Sequence, residues 1–355
     1  MSDVAREAGV SKMTVSNVIN GRPGASDDTR ARVLEAVAHL GYRVNATARQ
    51  LRAGRSGAIG LLVPHLDGPY YSHLAARLDT LAQARGYHVI IERTGASREG
   101  ELAAISAERV RPYDGLVFSP VQIDTADVSR AGIEVPVVLL GERRLAGEYD
   151  HVMMDNVGGA ELATSYMLER GARRIALIGG RPDEGVDSMA TLRSRGYRNA
   201  HTKAGLPVDE RLVVDAASFT TKDGHEAVMR LHRDGVRFDG AFALTDAAAM
   251  GALRALADLG LRVPDDVQVV GFDNDAEGEY LIPRLTTMDP DNDSMAERIM
   301  ELLLRRVEAG GADVGDVVEQ VMSARIVVRE STLARAPGRC QRSGGGAPSR
   351  WWEAG

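Results

Sequence analysis

The sequence predicts two parts, a small all-α unit at the start and an α/β body of two lobes, each a doubly wound parallel sheet. Three observations predict it. The stretch "DVAREAGVSKMTVSNVING", from Asp3 to Gly21, reads as two short helices joined by a tight turn at Gly9. From Ala58 onward, short apolar runs rich in β-branched residues alternate with amphipathic segments, the pattern of parallel strands wound by helical crossovers. Charge divides at the same place: residues 1–57 hold nine Arg/Lys against five Asp/Glu, a net +4, and the chain total of −7 leaves −11 for the remainder. A basic head on an acidic body points to a head that meets a polyanion. At 355 residues the chain is also too long for one ordinary core.

The opening hairpin comes first. Ala5 is small enough to let a second helix cross closely, and Gly9 takes a positive φ at no steric cost. Val4, Ala8, Val10, Val15 and Val18 are expected to form a small shared core, and Ser11 to cap the second helix. That leaves Lys12, Met13, Ser16 and Asn17 on the second helix's exposed face near its N-terminus, where a helix-turn-helix unit reads the major groove. A third helix is expected from the cap Ser26 to Gly41, with Val33, Val37 and Leu40 as its buried stripe. The basic stretch "VNATARQLRAGRS" follows, long enough for one or two helical turns and too short to be a stable helix alone.

The body is expected to carry strands at "AIGLLV", "YHVII", "DGLVF", "VPVVLL", "RIALIGG", "GAFAL" and "VQVVGF". Amphipathic stretches such as "HLAARLDTLAQARG", "GGAELATSYMLERG" and "AAAMGALRALADLG" supply the crossovers. Two such lobes create a cleft at the C-terminal ends of their strands, where small ligands bind. Candidate cleft residues fall there: Glu142 after "VVLLG", Thr245 and Asp246 after "FAL", Asp273 after "VVGF", and Tyr70 and Tyr71 in "DGPYY". Arg193 in "LRSRGY" and Phe219 complete the set. Such a set suits a polyol: guanidinium and carboxylate groups give several directed hydrogen bonds, and an aromatic ring covers the apolar face of a pyranose. The last stretch, "STLARAPGRCQRSGGGAPSRWWEAG", is Gly/Pro/Arg/Ser-rich and reads as a disordered tail.

Several chemistries are excluded by pattern. "HEAVM" has no second His four residues after His225, so it is not a zinc-protease motif. "DNDAEG" copies half a calcium loop but places Arg284 where the bidentate Glu belongs. "DPDND" reads as a helix cap, and "IGG" near Gly180 is no dinucleotide fingerprint. The single Cys340 forms no intrachain disulfide, which fits a reducing cytosol. No apolar run approaches the roughly 18–20 residues of a spanning helix, and no export leader is seen. No enzyme, cofactor, metal or membrane role is expected.

The motifs carry a resemblance. "DVAREAGVSKMTVSNVING", "LGYRVNATARQLRAGRSGAIGLLVP", "VMMDNVGGAELA", "LRSRGYRNA", "VQVVGFDND", "PRLTTM" and "ARIVVREST" together resemble the LacI/GalR family of bacterial transcriptional repressors over about residues 2–333. The resemblance implies a periplasmic-binding-protein-like body. It implies that Lys12, Met13 and Asn17 choose the operator sequence, and that Thr14, Ser16 and Asn20 contact phosphate or groove. Arg is common where Asn17 stands, so an atypical half-site is implied. Tyr42 and Asn45 close the headpiece, and "ATARQL" resembles the family's hinge helix, with Leu51 wedged into the minor groove and Ala48 beside it. It implies effector contacts from Arg193 and Asp273, and a departure at Thr245, where many members carry Asn.

The expected division is a headpiece at 1–45, a hinge at 46–57, a body at 58–333 and a tail at 334–355. Within the body the N-subdomain takes about 58–158 and 289–320, and the C-subdomain about 159–288 and 321–333. The expected function is a cytosolic, homodimeric repressor of a pseudo-palindromic operator, controlled by a mono- or disaccharide. The alternatives are a purine- or nucleoside-responsive regulator and a transport-type sugar-binding protein. No long Leu heptad follows the last strand, so a dimer and not a tetramer is expected.

Overall fold

The computed structural model describes residues 1–19, 23–41, 56–66, 68–145, 149–181, 187–216, 218–310 and 315–333. The chain divides into two units between Ser56 and Gly57.

The first unit holds three helices, α1 (Ser2–Glu7), α2 (Lys12–Ile19) and α3 (Asp27–His39). Gly9 turns the chain between the first two at φ +66°, and the Val10 amide bonds back to the Ala5 carbonyl. The Ser11 hydroxyl accepts from the Thr14 amide at 3.1 Å, and Ser26 caps α3 by accepting from the Thr29 amide. Val4, Ala5, Ala8, Val15, Val18, Val33 and Ala36 form the apolar cluster that all three helices share. Leu40 departs from expectation. It is the C-cap of α3 and 41% exposed, one turn beyond the point where α3 meets the cluster, so the stripe runs Val33, Ala36, Val37.

The second unit holds two six-stranded sheets. The first takes β1 (Ala58–Val63), β2 (His88–Arg93), β3 (Gly115–Phe118), β4 (Val137–Leu140), β5 (Asp150–Met154) and β11 (Glu319–Met322). Its spatial order is β11-β5-β4-β3-β1-β2, and every pairing is parallel. The second takes β6 (Ile175–Ile178), β7 (Val213–Val214), β8 (Gly240–Ala243), β9 (Gln268–Phe272), β10 (Thr286–Asp289) and β12 (Arg325–Val327). Its order is β12-β10-β9-β8-β6-β7, with β12 antiparallel at the edge. All seven expected strands are present. The central ones are buried along their whole length, because helices cover both faces of a parallel sheet.

Helices α4 (Pro69–Gln83), α5 (Arg98–Ala104), α6 (Ala107–Val110) and α7 (Thr125–Ala131) belong to the first lobe. Helices α8 (Asn156–Glu169), α9 (Met189–Lys203), α10 (Thr221–Arg233) and α11 (Asp246–Asp258) belong to the second. Helix α12 (Asn292–Ala309) returns to the first lobe and packs on α4 and β3 to β5. The chain therefore crosses between lobes three times: from β5 to α8, from β10 to α12, and from β11 to β12. One apolar cluster runs through both lobes, from Ile59 and Leu61 to Leu177, Phe242 and Phe272. Close packing of α9 on α8 depends on Gly196, where a Cβ would lie 2.2 Å from the Val157 carbonyl oxygen. That contact fixes the depth of Arg193, one turn earlier on α9.

Candidate operator interface and effector cleft

On α2, the residues expected to read DNA differ in exposure. Lys12 is exposed and Met13 is 73% exposed, while Thr14, Ser16 and Asn17 are half-buried beside the cluster. The Thr14 hydroxyl lies 2.9 Å from that of Ser11 at the helix start. No acidic residue stands in the first turn of α2, so its positive dipole end is left for an anion. Glu7 and His39 pair at 2.5 Å, tying α1 to α3. Asn20, Tyr42, Asn45, Ala48 and Leu51 lie outside the described residues.

The cleft is centred on Arg193, which is only 2% exposed. Its Nε donates to Asn156 Oδ1 at 2.7 Å, Nη1 donates to the Leu244 carbonyl, and Nη2 lies 3.5 Å from Asp273. The guanidinium also stacks 3.5 Å above the Phe272 ring. Asn156 in turn donates from Nδ2 to Glu142 at 2.9 Å. One polar chain, Glu142–Asn156–Arg193–Asp273, thus spans the two lobes at the first crossover. Tyr70 and Tyr71 stand edge to face at 4.8 Å, and the Tyr71 hydroxyl meets Ser119 at 3.1 Å. Burial pushes both phenols well above their usual range, with the carboxylates of Glu142 and Asp273 adding to it. Burial also lowers Arg193, and the charges of Asp273 and Glu142 oppose that.

Backbone strain gathers in the same place. Phe219, Asp273 and Asn274 have φ of +56°, +118° and +55°. Such values cost of order 1–3 kcal/mol in a residue other than glycine and mark sites where position matters more than stability. Phe219 lies against Gly179, and the Arg181 guanidinium sits 5.9 Å from its ring centre.

Six of the eight expected cleft residues are brought together or border the cluster. Thr245 and Asp246 stand behind it, with their polar groups committed inside the second lobe. Thr245 is the N-cap of α11, accepting from Ala248 N and donating to the Phe219 carbonyl at 2.8 Å. Asp246 is fully buried and accepts from Thr287 Oγ1 at 2.6 Å and from the Asp275 amide at 2.8 Å. Burial raises its carboxyl to about 6 against the hydrogen bonds it accepts. Asn156, Ser119 and Phe272 were missed. Asn156 sits in "VMMDNVGGAELA" directly after the helix cap Asp155, so its spacing signals only a helix start.

A helix-turn-helix unit with an open reading face, on a chain with a two-lobed ligand-binding body, defines a DNA-binding transcriptional regulator. The profile described as "Bacterial regulatory proteins, lacI family" matches residues 1–45, and "Periplasmic binding protein-like domain" matches 164–332. Catabolite control protein A of Priestia megaterium is 30% identical over 93% of this chain and 98% of its own. The transcriptional repressor PurR of Erwinia tasmaniensis is 31% identical over 86% and 90%. Among solved structures, the lac repressor dimer bound to operator and an anti-inducer has a TM-score of 0.78 at 26% identity, covering 94% and 98%. The complex of the regulator CelR with cellobiose has a TM-score of 0.67 at 30% identity, covering 93% and 98%. The chain belongs to the LacI family of bacterial transcriptional regulators, which are transcription factors and not enzymes.

Proposed function

We propose that the protein is a ligand-controlled repressor that binds a pseudo-palindromic operator as a homodimer and is switched by a sugar in the cleft. The observation that carries this is the polar chain from Glu142 to Asp273. A ligand that inserts its hydroxyls among these groups alters how the lobes close, and so biases any state that depends on closure. Residues 1–45 serve as the headpiece, 46–57 as the hinge, 58–333 as the body and 334–355 as the tail. Lys12, Met13, Thr14, Ser16, Asn17, Asn20, Tyr42, Asn45, Ala48 and Leu51 contact DNA. Tyr70, Tyr71, Glu142, Arg193, Phe219 and Asp273 contact effector. Thr245 and Asp246 support the Phe219 carbonyl and the loop after β9 from behind.

The CelR–cellobiose complex supports the sugar reading. The similarity to PurR favours a purine as the second reading. The test is selection of bound duplexes from randomised DNA with the full-length protein, at fixed salt, then operator titration with sugars and purines. An inverted repeat with a distinct centre is expected, with operator affinity changed by a sugar. If every ligand that binds leaves operator affinity unchanged, the coupling is absent. Leu51→Ala is expected to weaken operator binding at least tenfold without changing the body's melting, since an apolar wedge offsets the unstacking of a base step; equal affinity counts against the wedge. A sedimentation mass near four subunits would count against the dimer.

A further inference from the structure

Resting on that sensor reading, we propose that the effector is cationic, an amino sugar whose free ammonium sits between the first turn of α4 and the loop after β9. A cavity of about 350 Å³ lies there, within the size range of small-molecule sites. Ser72 and His73 face it from α4, Asp273, Asp275 and Glu277 from the loop, and Asn292 from the start of α12.

One nearly buried carboxylate at this cavity lacks a donor among the described residues. Asp275 is only 8% exposed, and its carboxylate has no hydrogen-bond or ion-pair partner among the described residues. Asn292 donates from Nδ2 to the Asp273 carbonyl at 3.2 Å, while its Oδ1 is buried without a partner. Leaving a buried group unsatisfied is costly, so the Asp275 carboxylate facing this cavity marks where a ligand's donor belongs. Burial, with Asp246 and Glu277 adding, pushes Asp275 up to about 7, the behaviour of a carboxylate without its counter-charge.

Charge decides the kind of donor. Three carboxylates, Asp273, Asp275 and Glu277, border the cavity. The guanidiniums beside them are already held, Arg193 by Asn156, the Leu244 carbonyl and Asp273, and Arg329 by the Leu285 carbonyl, Asn274 and Glu279. At the cleft's other mouth, Arg143 donates to the Ile123 carbonyl and Arg144 pairs with Glu319, each at 3.0 Å. A phosphorylated sugar would meet carboxylates and, among the described residues, no uncommitted guanidinium. An ammonium offers three donors and no acceptor, which matches the carboxylates of Asp275 and Glu277.

The test is calorimetry and thermal shift on the full-length protein near neutral pH. The probes are glucosamine, galactosamine, mannosamine and chitosan disaccharide, each against its uncharged parent and against phosphorylated hexoses. At least one amino sugar is expected to bind about tenfold or more tighter than its parent, as expected for a newly paired charge. Asp275→Asn should lower amino-sugar affinity about tenfold more than parent affinity, with Glu277→Gln acting in the same direction; melting curves check that both variants fold. An uncharged parent binding as tightly as its amine, a phosphorylated hexose binding more tightly, or no amino sugar binding at all overturns the proposal. A neutral sugar that binds and shifts operator affinity overturns it while leaving the sensor reading intact. Failure to bind any operator ends the sensor reading itself.

Discussion

Met13 and Arg193 stand for two ways of carrying a recognition surface. Met13 is 73% exposed on α2, outside the cluster of Val4, Ala5, Ala8, Val15, Val18, Val33 and Ala36 that holds the headpiece together. Arg193 is 2% exposed, stacked on Phe272 and bonded to Asn156, Leu244 and Asp273. In the headpiece the exposed groups proposed to read DNA, Lys12 and Met13, are additional to the groups that fold it. In the cleft they are the same groups. On the proposed assignments, operator choice is free to change by surface substitution, whereas effector choice is tied to the stability of the body.

The largest effect that comparison demands is at Arg193. Arg193→Ala leaves the Asp273 carboxylate and Asn156 Oδ1 buried without their donor. Breaking a buried pair in this way costs about 3–5 kcal/mol. The expected result is a large drop in the body's melting temperature together with loss of effector response. Wild-type melting with response lost would mean that Arg193 only reads ligand, and the contrast with Met13 would collapse. Asn156→Ala comes next. It removes the acceptor for Arg193 Nε and the donor to Glu142, at about 1–3 kcal/mol. Effector still binding but no longer changing operator affinity would sharpen the comparison, by separating the residue that couples the lobes from those that touch ligand.

The same contrast explains what was legible in the sequence. The headpiece could be read almost residue by residue, because Ser11, Gly9 and the valines act through spacing on short local helices. The seven expected strands, the edge strand β2 among them, were legible as short runs rich in apolar residues. Strands β5, β7, β10, β11 and β12 were not. "DHVMM" mixes charge with apolar residues because Asp150 is paired by Arg306 inside the fold. "TTMD" hides its burial behind threonines that bond within the lobe, and β11 and β12 are half-exposed edge strands. In the cleft, positions after strands pointed to Glu142 and Asp273, which join the polar chain between the lobes, and equally to Thr245 and Asp246, whose bonds lie inside the second lobe. Asn156 was invisible because its role depends on partners 14 and 37 residues away in sequence.

A smaller effect separates the regions by pH. Burial raises Asp246 to about 6 and Asp275 to about 7, with Arg329 and Arg193 opposing the first and Asp246 and Glu277 raising the second. Unfolded aspartates titrate near 3.9. The folded body therefore holds protons that the unfolded chain has released between about pH 4 and 7, and the contribution of these two groups to stability falls as pH rises through that window. Asp275→Asn should flatten the decline, by on the order of 1–3 kcal/mol at the alkaline end. A variant with the same slope as the parent would show that Asp275 is paired in the folded body.

The smallest stability effect is expected at Met13, and it is the one that isolates the headpiece's side of the comparison. An exposed substitution away from core, cap and network usually changes stability by no more than about 0.5 kcal/mol. Met13→Ala removes a side chain from the N-terminal turn of α2 while leaving the Ser11 cap and the seven-residue cluster in place. Its melting curve should superimpose on that of the parent. Its operator affinity should nevertheless fall by about tenfold on the selected site, since one mismatched contact with a base is worth about 1–3 kcal/mol. The loss should also depend on sequence: a duplex altered at the contacted step should lose little further affinity in the variant. A uniform loss across all duplexes would mean that Met13 positions α2 on the backbone, and base choice would then rest on Lys12 and Asn17.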